Sequence, residues 1–252
     1  MTASPSRLLV GTLLGLTLGA LSACATSEAT GSFDHSAWDR LLNDTIRDGV
    51  VDYAALSKRY SELQGFLDAL AKAPFESLPR EEKLATGINA YNAQCIAGVL
   101  KQGKIKSVRD VWMFFKRTRF VLGGKELSLD NLEHDILRKM GEPRIHFALV
   151  CASKSCPKLA SKAYTASTLE EDLAARTREF LSDKTRNYLD RERRVLHLSS
   201  LFKWFKSDFQ ANAASVLDFV KPYLPEADRR FLEAEKVKIN FLDYDWSLNG
   251  TF

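Results

Sequence analysis

The chain has 252 residues, 45% hydrophobic and 27% charged, with 36 basic and 32 acidic side chains for a net charge of +4. This is a globular balance that excludes disordered and collagen-like classes. No basic run tracks a phosphate backbone, so no nucleic-acid partner is expected.

The N-terminus reads as an address. Arg7 precedes an uncharged apolar run over residues 8–21, too short and too rich in glycine for a spanning helix. Leu21-Ser22-Ala23-Cys24 follows, and the whole fits a secretory signal. The four residues resemble the lipobox of bacterial lipoproteins. The resemblance implies cleavage before Cys24, a diacylglycerol thioether on its sulfur and a palmitate-type acyl chain on the new N-terminus. Two or more chains are what stable anchoring to a bilayer requires. Residues 25–32 are small and polar and suit a flexible tether. The expected organisation is a signal peptide over 1–23, a tether over 24–32 and one folded domain over 33–250. Thr26 stands where an Asp would retain the protein at the inner membrane. By resemblance to Gram-negative rules, the periplasmic face of the outer membrane is the expected location.

Apolar spacing predicts helices over 33–48 and 54–73, with an extended piece over 50–53. The strongest helix is expected from residue 80 to about 102, after Pro79 and before Gly103. It carries Asn89 and Asn92 beside an apolar line. Asn is a poor helix former and costs free energy when buried unpaired, so each must either bond neighbouring loops or orient a ligand. A hairpin is predicted over 119–127 about Gly123-Gly124, and a short helix over 128–139 carries Glu133 and His134. The apolar run 145–151 is predicted to be a buried strand, which sets His146 and Cys151 on opposite faces. A helix over 168–182, a hairpin over 188–198, an aromatic helix over 201–209, short helices over 213–223 and 226–235 and a last strand over 237–241 complete the chain. Helices and strands mix without βαβ alternation. The expected fold class is α+β, one domain with helices around a small, mostly antiparallel sheet.

Several strings then coincide. They are Ile88-Asn89-Ala90-Tyr91-Asn92-Ala93, the segment from Ser128 through Glu133-His134 to Arg138, Pro143 to Leu149 with Cys151 and Cys156-Pro157, and Tyr244-Asp245-Trp246 with Leu248-Asn249. Together they resemble the family named domain of unknown function 547. The resemblance implies a papain-like or transglutaminase-like variety of α+β fold. In that group a Cys at a helix start, a His on a strand and an Asp or Asn form the catalytic set. His146 suits the strand His, but the Asn-rich helix has no Cys at its start and carries Cys95 in its middle.

The chemistry concentrates between Arg144 and Pro157. A cysteine nucleophile needs a base and an orienting group, and the candidate catalytic residues are His146, Cys156, Glu133 and Asn92. Candidate ligand-binding residues are Asn89, Asn92, His134 and His146. An oxidising compartment favours instead a disulfide between Cys151 and Cys156. His134, His146, Cys151 and Cys156 match no compact zinc spacing, so no metal is expected, nor any other cofactor. His35 and His197 look incidental, and Asp243, Asp245, Trp246 and Asn249 are expected to pin the C-terminus to the body. The expected function is a non-catalytic, lipid-anchored envelope domain that binds a ligand or partner, an envelope protein or a peptidoglycan-related molecule. The alternative is a cysteine-dependent amide hydrolase or acyl transferase.

Overall fold

The computed structural model describes residues 1–2 and 31–252; the apolar leader and Cys24 lie outside the described residues. Helix α1 (Ser36–Thr45) buries Trp38, Leu41, Leu42 and Thr45 on one face. Asp48 and Gly49 both take positive φ and fold β1 (Ile46–Arg47) back on β2 (Val50–Asp52). The Asp52 carboxylate accepts the Ala55 N–H and caps α2 (Tyr53–Lys58). Arg59 leaves helical geometry, so the predicted helix over 54–73 is split into α2 and α3 (Tyr60–Ala71).

Helix α4 (Arg80–Gln102) is the axis of the molecule. Pro79 precedes it, Glu81 and Glu82 lie in its first turn, and Gly103 ends it at a positive φ. From Leu84 to Val99 it is buried on nearly every side, as expected of a helix enclosed by other elements. Close approach is built in at Gly87, where an added Cβ would meet the Leu137 side chain at 2.5 Å.

After the short helix α5 (Phe114–Arg117), β3 (Arg119–Leu122) and β4 (Lys125–Ser128) pair antiparallel about Gly123 and Gly124, both at positive φ. Ser128 and Asn131 form a capping box at α6 (Leu129–Asn131). The chain continues as a π turn (Leu132–Leu137) and a 3-10 turn (Arg138–Met140). Further on lie α7 (Leu169–Ser182), β5 (Tyr188–Asp190), β6 (Val195–Ser199), α8 (Leu201–Trp204) and α9 (Lys206–Asn212). The chain closes with α10 (Val216–Val220), α11 (Glu226–Ala234), β7 (Lys238–Leu242) and β8 (Gly250–Thr251).

The fold class is α+β, with helices and small sheets in one body. Among the described residues the strands form three separate small sheets rather than one: β1-β2-β8, β3-β4 and β5-β6-β7. The β2–β8 and β6–β7 pairings are parallel. The core has two parts. One surrounds α4, and the other is a phenylalanine cluster of Phe147, Phe180, Phe202, Phe209 and Phe219. Among the described residues no helix is long and apolar enough to cross a membrane.

The predicted strand over 145–151 does not form. Pro143 starts a 3-10 helix (Pro143–Phe147), and the Glu142 side chain accepts the Arg144 N–H at its start. Beyond it the backbone finds no strand neighbour. The side chain of Asn92 takes that place, accepting the Val150 N–H at 2.8 Å and donating to the Ala148 carbonyl at 2.9 Å. A short apolar run carries the same pattern whether it is a buried strand or a buried turn. Without a strand there is no parity, and His146 and Cys151 are not separated onto two faces.

A thiol-bearing aromatic cleft

The segment after the 3-10 helix curls into a loop from Cys151 to Cys156. Ala152 adopts a left-handed φ of 60°, and the C-terminal tail straps the loop in place. Lys154 N–H donates to the Ser247 carbonyl, Ser155 N–H to that of Asp245, and Asn249 N–H to that of Ala152. The Asn249 side chain also reaches the Gly49 carbonyl at 3.0 Å, while the Ser107 hydroxyl donates to the Trp246 carbonyl at 2.7 Å. The tail thus holds the loop as well as closing the fold.

This strapping brings residues from across the chain around one cleft of about 200 Å³. Tyr91, Phe115, Trp204, Phe205, Tyr244 and Trp246 form aromatic walls; Asp130, Glu133, His134, His146, Cys151 and Cys156 supply polar groups. Trp204, Tyr244 and Trp246 pack on one another with ring centroids 4.8–5.7 Å apart.

The sulfurs are unlike each other. Both line the cleft, but Cys156 is buried at 2% exposure whereas Cys151 is partly exposed. The Cys151 sulfur lies 2.7 Å from that of Cys156, 3.0 Å from the Ser153 hydroxyl and 3.3 Å from the Tyr244 hydroxyl. Burial pushes the Cys151 thiol up, but hydrogen bonds with Cys156, Ser153 and Tyr244 outweigh it and bring the pKa to about 7. Burial, reinforced by Cys151, pushes Cys156 well above the ordinary thiol value. Burial does the same to Cys95, inside α4. The expected disulfide is corrected: both cysteines are free, with their sulfurs farther apart than the about 2.05 Å of a bridge. The nucleophile expectation shifts with it, because Cys151 is the more exposed of the two cysteines that line the cleft.

His146 is fixed from three sides. Its Nε2 lies 2.9 Å from Asp208 Oδ2, and because a carboxylate only accepts, Nε2 carries the proton. Its ring stacks on Phe205 at 3.8 Å. Arg138 grips both oxygens of the same Asp208, at 2.7 and 2.8 Å. Burial pushes the His146 pKa down against the pull of Asp208, so the imidazole stays neutral. Burial raises Asp208, but the bonds from Arg138 and His146 outweigh it and hold the carboxyl far below its usual range. Nδ1 is left without a hydrogen-bond partner among the described residues, and no hydrogen bond links His146 to a sulfur among them.

Glu133 and His134 also line the cleft. Burial raises Glu133 above its ordinary value, partly offset by His134 and Tyr91. His134 Nδ1 accepts from Arg138 at 2.9 Å. The two asparagines do not face the cleft. Asn89 is fully buried, bonding the Tyr164 backbone through both amide atoms and His35 Nδ1 besides. Asn92 is committed to Ala148 and Val150. Both are removed from the ligand-contacting set, and Asn92 from the catalytic set; each holds a loop against α4. His35 is a buried structural group beside Glu82 and Thr86, and His197 stacks on Tyr188 at the surface.

Asp208, Arg138, Ser153, Trp204 and Phe205 escaped the sequence reading as site residues. Only the aromatic density over 201–209 and the Tyr244-Asp245-Trp246 string pointed towards them.

An α+β domain with a thiol-bearing cleft is therefore the class that fold and site define. A family model described as "Protein of unknown function, DUF547" matches residues 75–181, which supports the family resemblance over that central segment. The matched segment holds α4, Glu133, His134, His146 and the cysteine loop; Asp208, Trp204, Tyr244 and Trp246 lie beyond it. No curated protein and no solved structure matches the chain.

Proposed function

We propose that this protein is a lipid-anchored periplasmic domain at the outer membrane whose cleft binds a small peptidoglycan-related ligand, an amino sugar or a short stem peptide. The lipobox-like Cys24 supports the location. One observation carries the binding reading: six aromatic side chains and six polar ones converge on a cleft of about 200 Å³. Flat aromatic faces pack against the apolar faces of a sugar ring or peptide side chain, while a few placed polar groups fix its orientation. That volume suits one or two small residues rather than a folded partner.

Calorimetric titration of the detergent-solubilised protein with disaccharide and stem-peptide fragments of peptidoglycan tests this. Saturable binding is expected, weakened about five- to tenfold in Trp204→Ala, the loss of one stacked face being worth roughly 1–1.5 kcal/mol. No heat with any fragment, or equal affinity in Trp204→Ala, counts against the reading.

A second reading, a cysteine-dependent amide hydrolase or acyl transferase, rests on the cleft's sharing Cys151 with the Asp208-held His146. The neutral His146 offers Nδ1 as a base, and its partner carboxylate fixes the tautomer, as nucleophilic catalysis requires. Mass analysis of the titrated fragments separates the two readings, since only this second one produces cleaved or acyl-transferred products.

A further inference from the structure

The cysteine loop has an organisation that ligand binding does not use. Its two sulfurs lie 2.7 Å apart, on residues five positions apart in the chain; both residues line the cleft, Cys151 partly exposed and Cys156 almost fully buried. The loop between them is fixed by backbone bonds to the C-terminal tail and by the Cys151 N–H donating to the Cys156 sulfur at 2.8 Å. The Ser153 hydroxyl lies 3.0 Å from the outer sulfur and that of Tyr244 3.3 Å from it, and Tyr244 also influences Cys156. A purely structural pair has no need of this asymmetry.

We propose that Cys151 and Cys156 are a redox-active dithiol that exchanges with small disulfides entering the cleft, Cys151 attacking and Cys156 resolving. The Cys151 thiolate attacks one sulfur of a disulfide R–S–S–R′. A Cys151–S–R bond forms, the S–S bond breaks, and R′S⁻ leaves to take up a proton. Cys156 then gives its proton to the departing RS⁻ as its sulfur attacks that of Cys151. The products are RSH, R′SH and a Cys151–Cys156 disulfide, and two electrons have passed from the protein to the substrate. The reverse sequence oxidises a dithiol substrate. The polarity of the pair suits these roles. Thiolate fraction and access govern the attacking sulfur, and the hydroxyls around Cys151 favour its thiolate while burial keeps Cys156 protonated until it is needed. The cleft's size limits substrates to a small-molecule disulfide or a flexible cysteine-bearing peptide. The proposal shares the cleft with the binding reading but does not depend on it, because its test reads the sulfurs and not cleft occupancy.

The test equilibrates the solubilised protein in glutathione buffers from fully reduced to fully oxidised, traps thiols with an alkylating agent and reads the products by mass spectrometry. The wild-type pair is expected to interconvert reversibly between dithiol and bridge. Cys156→Ser is expected to accumulate one glutathione adduct, on Cys151, and Cys151→Ser to lose that adduct. Cys156→Ala, with circular dichroism as a check on folding, repeats the trapping in case serine disturbs the buried position. A bridge that persists in excess dithiothreitol on the folded protein would overturn the proposal, as would glutathione attached at Cys156 or a dithiol that no glutathione disulfide oxidises.

Discussion

Asn92→Leu is expected to lower the unfolding free energy by about 2–5 kcal/mol, because it strands two buried backbone groups that cost roughly 1–3 kcal/mol each. The groups are the Val150 N–H and the Ala148 carbonyl, bonded by the two ends of one amide. Leucine nearly matches the volume, so the effect isolates lost hydrogen bonding from a new cavity. Asn89→Leu makes the same deletion at the Tyr164 backbone and is expected to cost a similar amount. Denaturant titration of both variants checks this. A loss under about 1 kcal/mol for Asn92→Leu, the net size of one ordinary hydrogen bond, would mean that the segment is held by something else.

Phe147→Ala is expected to cost about 3–5 kcal/mol through lost burial and an unfilled cavity. Its ring is fully buried, with centroids 5.2–6.3 Å from those of Phe180, Phe202, Phe209 and Phe219. It sits next to His146, so the lost anchor also loosens the imidazole that Phe205 and Asp208 hold. Phe147→Leu keeps most of the volume and is expected to lose under about 1.5 kcal/mol. Thermal or denaturant unfolding distinguishes the pair. Equal losses in both variants would show that the phenylalanine cluster does not seat this turn. Together the two substitutions cut the cysteine segment from its supports, α4 on one side and the aromatic core on the other.

These supports explain which parts of the fold were legible in the sequence. Helices such as α4 and α7 repeat apolar residues over several turns, and Pro79 and Gly103 punctuate α4 on both sides, so their existence shows in the pattern. The strands are only two to five residues long. Over such lengths a period of two barely repeats, and nothing in it signals three sheets rather than one or the parallel pairing of β2 with β8. The run 145–151 failed for a related reason. Its partner is a side chain fifty-odd positions away, and no local pattern announces that.

The site divides similarly. Residue type alone drew attention to Cys151, Cys156, His146, Glu133 and His134, and the structure gathers all five around the cleft, Cys156 the more buried of the two cysteines. Asp208 gave no signal, because an Asp in a helix is ordinarily a solvated group and its partners, Arg138 and His146, come from the 3-10 turn and the 3-10 helix. Trp204 and Phe205 read only as part of an aromatic helix, since an aromatic stripe at helical spacing looks the same whether it fills an interior or walls a cleft. The two asparagines were correctly seen to need partners, but only tertiary structure shows that those partners are backbone atoms of loops.

Cys151 is the most exposed cysteine among the described residues and lines a cleft open to small molecules, while Cys156 and Cys95 are buried. The rate of alkylation of the reduced native protein by iodoacetamide, resolved by residue and measured across pH, tests this most directly. The thiolate is the reacting form, so Cys151 is expected to label first, its rate rising as pH passes through about 7, while Cys156 and Cys95 stay protected. Labelling of Cys156 or Cys95 ahead of Cys151, or a Cys151 rate that rises only near the ordinary thiol pKa of about 8.5, would contradict it.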